Sequence, residues 1–92
     1  MDAGRFDDDL QPWSAGQQEG YDRAIGVLRA LAAAYSARIA RPEARDDVAQ
    51  LRAERGKVAA QQRDLDPADH TAIARILAEY PAVLREVRSG PP

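Results

Sequence analysis

The side chains best suited to bind an anionic substrate in this 92-residue chain are those of four arginines, Arg23, Arg38, Arg52 and Arg55. A guanidinium presents a rigid fork of N–H donors that matches the oxygens of carboxylates and phosphates. If two helices brought these arginines together, they would form a pocket for a small anionic metabolite. An arginine-lined helical enzyme is therefore one hypothesis for the function.

Other reactive groups are scarce. The chain has no cysteine, so disulfides and zinc–thiolate sites are excluded, and its single histidine, His70, is too few for a histidine-rich metal site. The sequence has no glycine-rich phosphate loop and no HExxH motif. The formal charge of −2 gives no general attraction to nucleic acid. We therefore expect no cofactor, no metal, no nucleic-acid partner and no catalysis.

One enzyme family shares part of this pattern. Residues 41–47 (RPEARDD), followed by Leu65-Asp66-Pro67, resemble the openings of the second and third helices in small all-helical chorismate mutases. The resemblance implies a three-helix dimer with a long first helix and an arginine-containing site. That family also uses a lysine on its first helix, whereas the corresponding segment here has arginines and no lysine. We assign no family.

The apolar residues that would position these groups recur every three or four positions. This spacing places each set on one side of a helix, and the rhythm restarts after Pro42 and after Pro67. The three stripes are Tyr21, Ile25, Leu28, Ala32, Tyr35 and Ile39; Ala44, Val48, Leu51, Arg55, Val58, Gln62 and Leu65; and Ile73, Ile76, Tyr80, Val83 and Val87. The sequence therefore predicts an all-α three-helix bundle. Helices over 15–41 and 42–64 would form an antiparallel hairpin, and a third helix over 67–88 would pack alongside.

Helix boundaries are marked by capping residues and prolines. Ser14 and Gln17 form a capping-box pattern before the first helix. Asp66 is the predicted cap of the third helix, with Pro67 at its first position. Pro81 lies inside the third helix, where a missing N–H and a clash with the preceding turn predict a kink or a break.

The second predicted helix is the least apolar. Arg55 and Gln62 lie in its seam, and Gly56 lies in its middle. In one interpretation, small residues let this helix approach its neighbours while the stems of Arg55 and Gln62 pack at the edge of the core. In the other, the first and third helices carry more apolar surface than the second can cover, and a second copy or another protein buries the excess. We favour the second interpretation.

Residues 1–13 read as a flexible acidic arm with large apolar residues, Phe6, Leu10 and Trp13. These side chains would either cover one end of the bundle or bind a partner as a short linear motif. The second alternative is typical of an antitoxin or immunity-type protein. The bundle domain would span 14–88, and residues 89–92 would form a tail.

Together these patterns predict a small non-catalytic module for protein–protein interaction, most simply a homodimer, or an accessory subunit of a complex. The chain has no signal-peptide pattern and no apolar run long enough for a bilayer, so we expect a cytoplasmic protein with no membrane partner. The predicted interface residues are Phe6, Trp13, Leu28, Leu31, Tyr35, Arg52, Arg55, Ile76, Leu77 and Tyr80.

Overall fold

The computed structural model describes residues 15–89, except for the side chains of Ala15 and Gln17. Its elements are helix α1 (Ala15–Ile39), a 3-10 helix (Pro42–Asp47), α2 (Val48–Asp64) and α3 (His70–Ser89). Helix α1 packs against both α2 and α3, which confirms the predicted three-helix bundle. The predicted arm 1–13 with Phe6, Leu10 and Trp13, the cap residue Ser14 and the end of the predicted tail lie outside the described residues.

Helices α2 and α3 lie along two flanks of α1. Tyr35 of α1 shares a cavity with Leu51 of α2, whereas Leu31 shares one with Val58, so α2 runs antiparallel to α1. Helix α3 runs in the same direction as α1. Its first turns approach the start of α1, since a Cβ on Gly20 would lie 3.7 Å from Ile73 Cγ2.

The core lies along one face of α1. Leu28 and Leu31 are the largest fully buried side chains, and each flanking helix adds its own apolar residues. The buried residues are Ala24, Leu28, Leu31, Tyr35, Ala44, Leu51, Val58, Ile73, Ile76 and Val87. Most of these residues lie on the predicted apolar faces, but Ala24 does not, and Ile25 of the predicted stripe is only half-buried.

The connection between α1 and α2 differs from the prediction. Helix α1 ends at Ile39, and Arg41 has an extended backbone because the residue before a proline is driven out of the helical region. Pro42 then begins a 3-10 helix that buries Ala44, and the α-helix starts only at Val48. The predicted direct entry from Pro42 into an α-helix was wrong.

The start of α3 was also predicted too early. Asp66 Oδ1 accepts a hydrogen bond from the Ala68 N–H at 2.9 Å, which closes a turn before the helix. Asp69 Oδ1 accepts from the Ala72 N–H at 3.1 Å, and this is the geometry of a helix N-cap. The cap is therefore Asp69, and α3 begins at His70.

Helix α3 is continuous through Pro81, so of the two predicted outcomes the break does not occur, and the kink stays a prediction. A proline in a helix interior removes one backbone hydrogen bond. Buried residues on both sides of it, Ile76 and Val87, hold the helix against α1. Packing thus outweighs the local preference of proline.

Candidate functional site: the groove between α2 and α3

The two outer helices leave an open space between them. No Cα of α2 lies within 8 Å of a Cα of α3, along the described lengths of both helices. The space holds a cavity of about 230 Å³. Leu31 and Tyr35 from α1 contribute to its lining, as do Val58 from α2 and Val83 from α3. The centre of this space is therefore largely apolar.

Two further cavities extend the space toward the ends of α2. One of about 270 Å³ lies beside the α2–α3 turn and is lined by Leu65 and Ile76 together with polar residues. The other, of about 380 Å³, lies toward the start of α2 and includes Leu51 and Val87. Neighbouring cavities share lining residues, so we describe the three as one feature, the α2–α3 groove.

A hydrogen-bonded pair crosses the groove. Gln61 Nε2 on α2 donates to the Tyr80 hydroxyl on α3 at 2.7 Å, and that hydroxyl donates to Gln61 Oε1 at 3.0 Å. Both side chains are partly buried. Long side chains thus connect two helices whose backbones stay apart.

Charged residues at the groove affect its buried tyrosine. Burial raises the pKa of the Tyr35 phenol, and the nearby Glu54 carboxylate raises this pKa further, while Arg38 acts in the opposite direction. Glu54 also pairs with Lys57, whose Nζ lies 3.2 Å from Glu54 Oε2. Because both partners are accessible to solvent, this ion pair contributes little to stability.

The structure brings part of the predicted interface to this groove. Leu31, Tyr35, Ile76 and Tyr80 all line it, although only Tyr80 keeps substantial exposed surface. Leu28 is fully buried in the core and has no surface to offer to a partner. Leu77 is half-buried and packs against the core. Phe6 and Trp13 lie outside the described residues.

The four arginines of the enzyme hypothesis are dispersed. Arg38 lines the groove, whereas Arg23 and Arg52 are exposed. Arg55 is half-buried, and its Nη1 donates to Ser36 Oγ on α1 at 3.0 Å. Arg55 therefore links α2 to α1 through its guanidinium, a contact that neither interpretation of its position in the seam predicted. The described cavities do not gather the four guanidinium groups around one space.

Several groove residues were missed by the sequence reasoning. Val58 and Val83 belong to the recognised apolar stripes, but Glu54, Gln61 and Glu86 were not singled out. Glu54 precedes Val58 by four positions and Glu86 follows Val83 by three, so these carboxylates border the same helix faces. Acidic residues at the margins of an apolar stripe were the available signal.

In comparisons with protein-family models, with curated proteins and with solved structures, no match to this chain was found. Among the described residues, none of the helices has the length and apolar character needed to cross a membrane. The same residues contain no group of three or more His, Cys, Asp or Glu side chains placed to hold a metal ion.

Proposed function

We propose that this protein is a small non-catalytic module for protein–protein interaction, and that the α2–α3 groove binds a helix of another polypeptide. The observation that supports this function is the open, apolar-lined space along two helices that do not contact each other through their backbones. An amphipathic helix can place its apolar face into such a groove, with anchor residues recurring every three or four positions.

The dimensions of the groove favour a helical ligand over a small molecule. Its three cavities follow α2, which has 17 residues. A helix of that length extends for about 25 Å, so a partner helix of similar length would span all three cavities. It would lie over the Gln61–Tyr80 pair that crosses the groove, or displace it. The arginine-lined enzyme is the less favoured alternative, because its four arginines do not surround one described cavity.

Self-association stays a prediction from the sequence. Light scattering over a dilution series of the full-length chain would test it. A dimer that persists on dilution would make a second copy one partner of the module, and a monomer at every concentration would contradict the predicted homodimer.

The groove function is tested with a synthetic amphipathic helix that carries leucine on one face and glutamine on the other. Added to the isotopically labelled full-length chain, it should shift the amide NMR signals of residues that line the groove. Val83→Glu places a charge in the groove and should abolish these shifts. Ala78→Glu, at an exposed position of the same helix, should leave them unchanged.

Circular dichroism would establish that both variants keep their helix content. A peptide that shifts no groove signal would contradict the proposed function. So would a peptide that binds the Val83→Glu variant as well as the unchanged chain.

A further inference from the structure

Carboxylates outnumber cations around the α2–α3 groove. The acidic residues that line it are Asp47, Glu54, Asp64, Asp66, Asp69 and Glu86. The basic residues that line it are Arg38, Lys57 and Arg75. All six carboxylates are exposed or half-exposed, so a bound partner could reach them.

The acidic side chains concentrate at the two ends of the groove. Asp64, Asp66 and Asp69 lie beside the α2–α3 turn, where Arg75 is the cation in the cavity lining. Asp47, Glu54 and Glu86 lie at the other end, with Arg38 as the cation there. The central cavity between these ends is lined by Val58 and Val83, and at its margin by Glu54 and Lys57, which pair with each other. The groove thus combines an apolar centre with two negatively charged ends.

The residues at the centre respond to this negative field. Burial is the main cause of the raised pKa of the Tyr35 phenol; Glu54 raises this pKa further, Arg38 lowers it, and Glu86 adds a smaller increase. A positive group entering the groove would meet the same field as an attraction.

We infer that the natural ligand of the groove is a basic amphipathic helix from a different protein, an inference that rests on the proposed function. Its apolar residues would contact Val83 and Tyr80, the half-buried side chains of the central cavity, and lysines or arginines toward both of its ends would pair with the carboxylates. Complementary charge of this kind contributes to the choice of partner and to the rate of association.

Charge disfavours the two occupants that the chain itself could supply. A symmetric dimer that set one groove against the other would oppose their carboxylates. Residues 1–13 contain four aspartates and one arginine, so this segment would also bring excess negative charge to the groove. A cationic helix from another protein has the opposite charge and avoids this repulsion.

The test uses three labelled peptides of about 18 residues, with one shared leucine face and with lysine, glutamine or glutamate at the polar positions. Fluorescence anisotropy with the full-length chain measures each affinity. At low ionic strength the lysine peptide should bind about tenfold or more tightly than the glutamine peptide, and the glutamate peptide should bind most weakly. Added salt should reduce the advantage of lysine.

A matched pair of variants assigns the effect to the groove. Glu54→Gln with Glu86→Gln removes two carboxylates from the groove lining. This double variant should bind the lysine peptide several-fold more weakly and should bind the glutamine peptide with unchanged affinity. Asp22→Asn with Glu43→Gln makes the same change in net charge at exposed positions outside the three cavities. This control should leave the preference for lysine intact.

The outcomes separate this inference from the proposed function. Equal binding of all three peptides, with shifted groove signals, would overturn the inference and keep the groove function, whereas binding of none would contradict both. A lysine preference that survives Glu54→Gln with Glu86→Gln would overturn the inference.

Evidence that the peptide displaces another occupant of the groove would also overturn the inference. A dimer that dissociates on addition of the peptide would identify a second copy as the ligand. A change in the fluorescence of Trp13, the single tryptophan, when the peptide binds would identify residues 1–13 as the occupant.

Discussion

Helices α2 and α3 pack against the same central helix by different means. Three side chains of α3 are buried, Ile73, Ile76 and Val87. In α2 the buried side chains are Leu51 and Val58, and a polar contact from Arg55 to Ser36 adds to the attachment. Apolar burial dominates at α3, whereas α2 combines a smaller apolar contact with polar ones.

The N-termini of the two helices also differ, and again α3 has the additional stabilising contact. Asp69 caps α3 with a side-chain hydrogen bond, but Asp47, at the N-cap of α2, makes no such bond. Helix α2 therefore depends more on its connection to the preceding 3-10 helix. The comparison shows that the two flanks of the groove are attached by different means, since α3 buries more apolar side chains whereas α2 adds a polar contact and has no side-chain cap.

The largest expected effect on stability comes from truncating one core residue on each outer helix. Ile76→Ala and Leu51→Ala should each lower the free energy of unfolding by about 2–5 kcal/mol, because each leaves a cavity in the core. The loss should be larger for Ile76, which is 4% exposed, than for Leu51, which is 9% exposed, although both residues line the groove. Urea unfolding followed by circular dichroism measures both. The reverse order would mean that α2 is the more tightly packed flank.

Pro81→Ala should strengthen α3 further. Alanine restores the missing N–H and relieves the clash, and the difference in helix preference between these residues is about 3 kcal/mol. Pro81 is only half-exposed, so lost packing of its ring should reduce the gain below this limit. Thermal unfolding measures the change. A destabilised variant would show that the ring contributes more to packing than it costs the helix.

Asp69→Ala should cost about 1 kcal/mol, the usual contribution of an N-cap. Asp47→Ala should cost less, because Asp47 makes no capping hydrogen bond. Chemical unfolding of the two variants under one set of conditions gives the comparison. Equal losses would contradict the assignment of Asp69 as the functional cap.

Gly56→Ala should stabilise α2 by up to about 1 kcal/mol, through the better helix preference of alanine. A Cβ at this position would meet nothing within 4 Å, so no clash opposes the gain. Gly26→Ala is the matched control in α1, because its Cβ would also meet open space. Similar gains at both positions, measured by thermal unfolding, would support helix preference as the cause.

The helices and their buried faces follow from the sequence alone. Leu28, Leu51 and Ile76 each lie on a predicted stripe, because the periodicity of apolar residues reflects burial directly. The exact first residues of α2 and α3 could not be predicted from the sequence. Both Asp66 and Asp69 can cap a helix, and which of them does so depends on the turn that Asp66 closes with Ala68.

The groove could not be predicted from the sequence, for a different reason. Periodicity shows which face of a helix is buried, but it does not show how far apart two neighbouring helices lie. Tyr80 was predicted as an interface residue and Gln61 was not singled out, and their hydrogen bond across the groove depends on the placement of α2 and α3 around α1. The candidate site is therefore a property of packing, and its acidic border became evident only with it.

The lack of backbone contact between α2 and α3 along their described lengths also determines how the domain can open. Either outer helix can detach while the remaining pair keeps its own interface with α1, so partial unfolding has two separate routes. Native-state hydrogen exchange would then show α2 exchanging first, α3 later, and the centre of α1 only when both have left it.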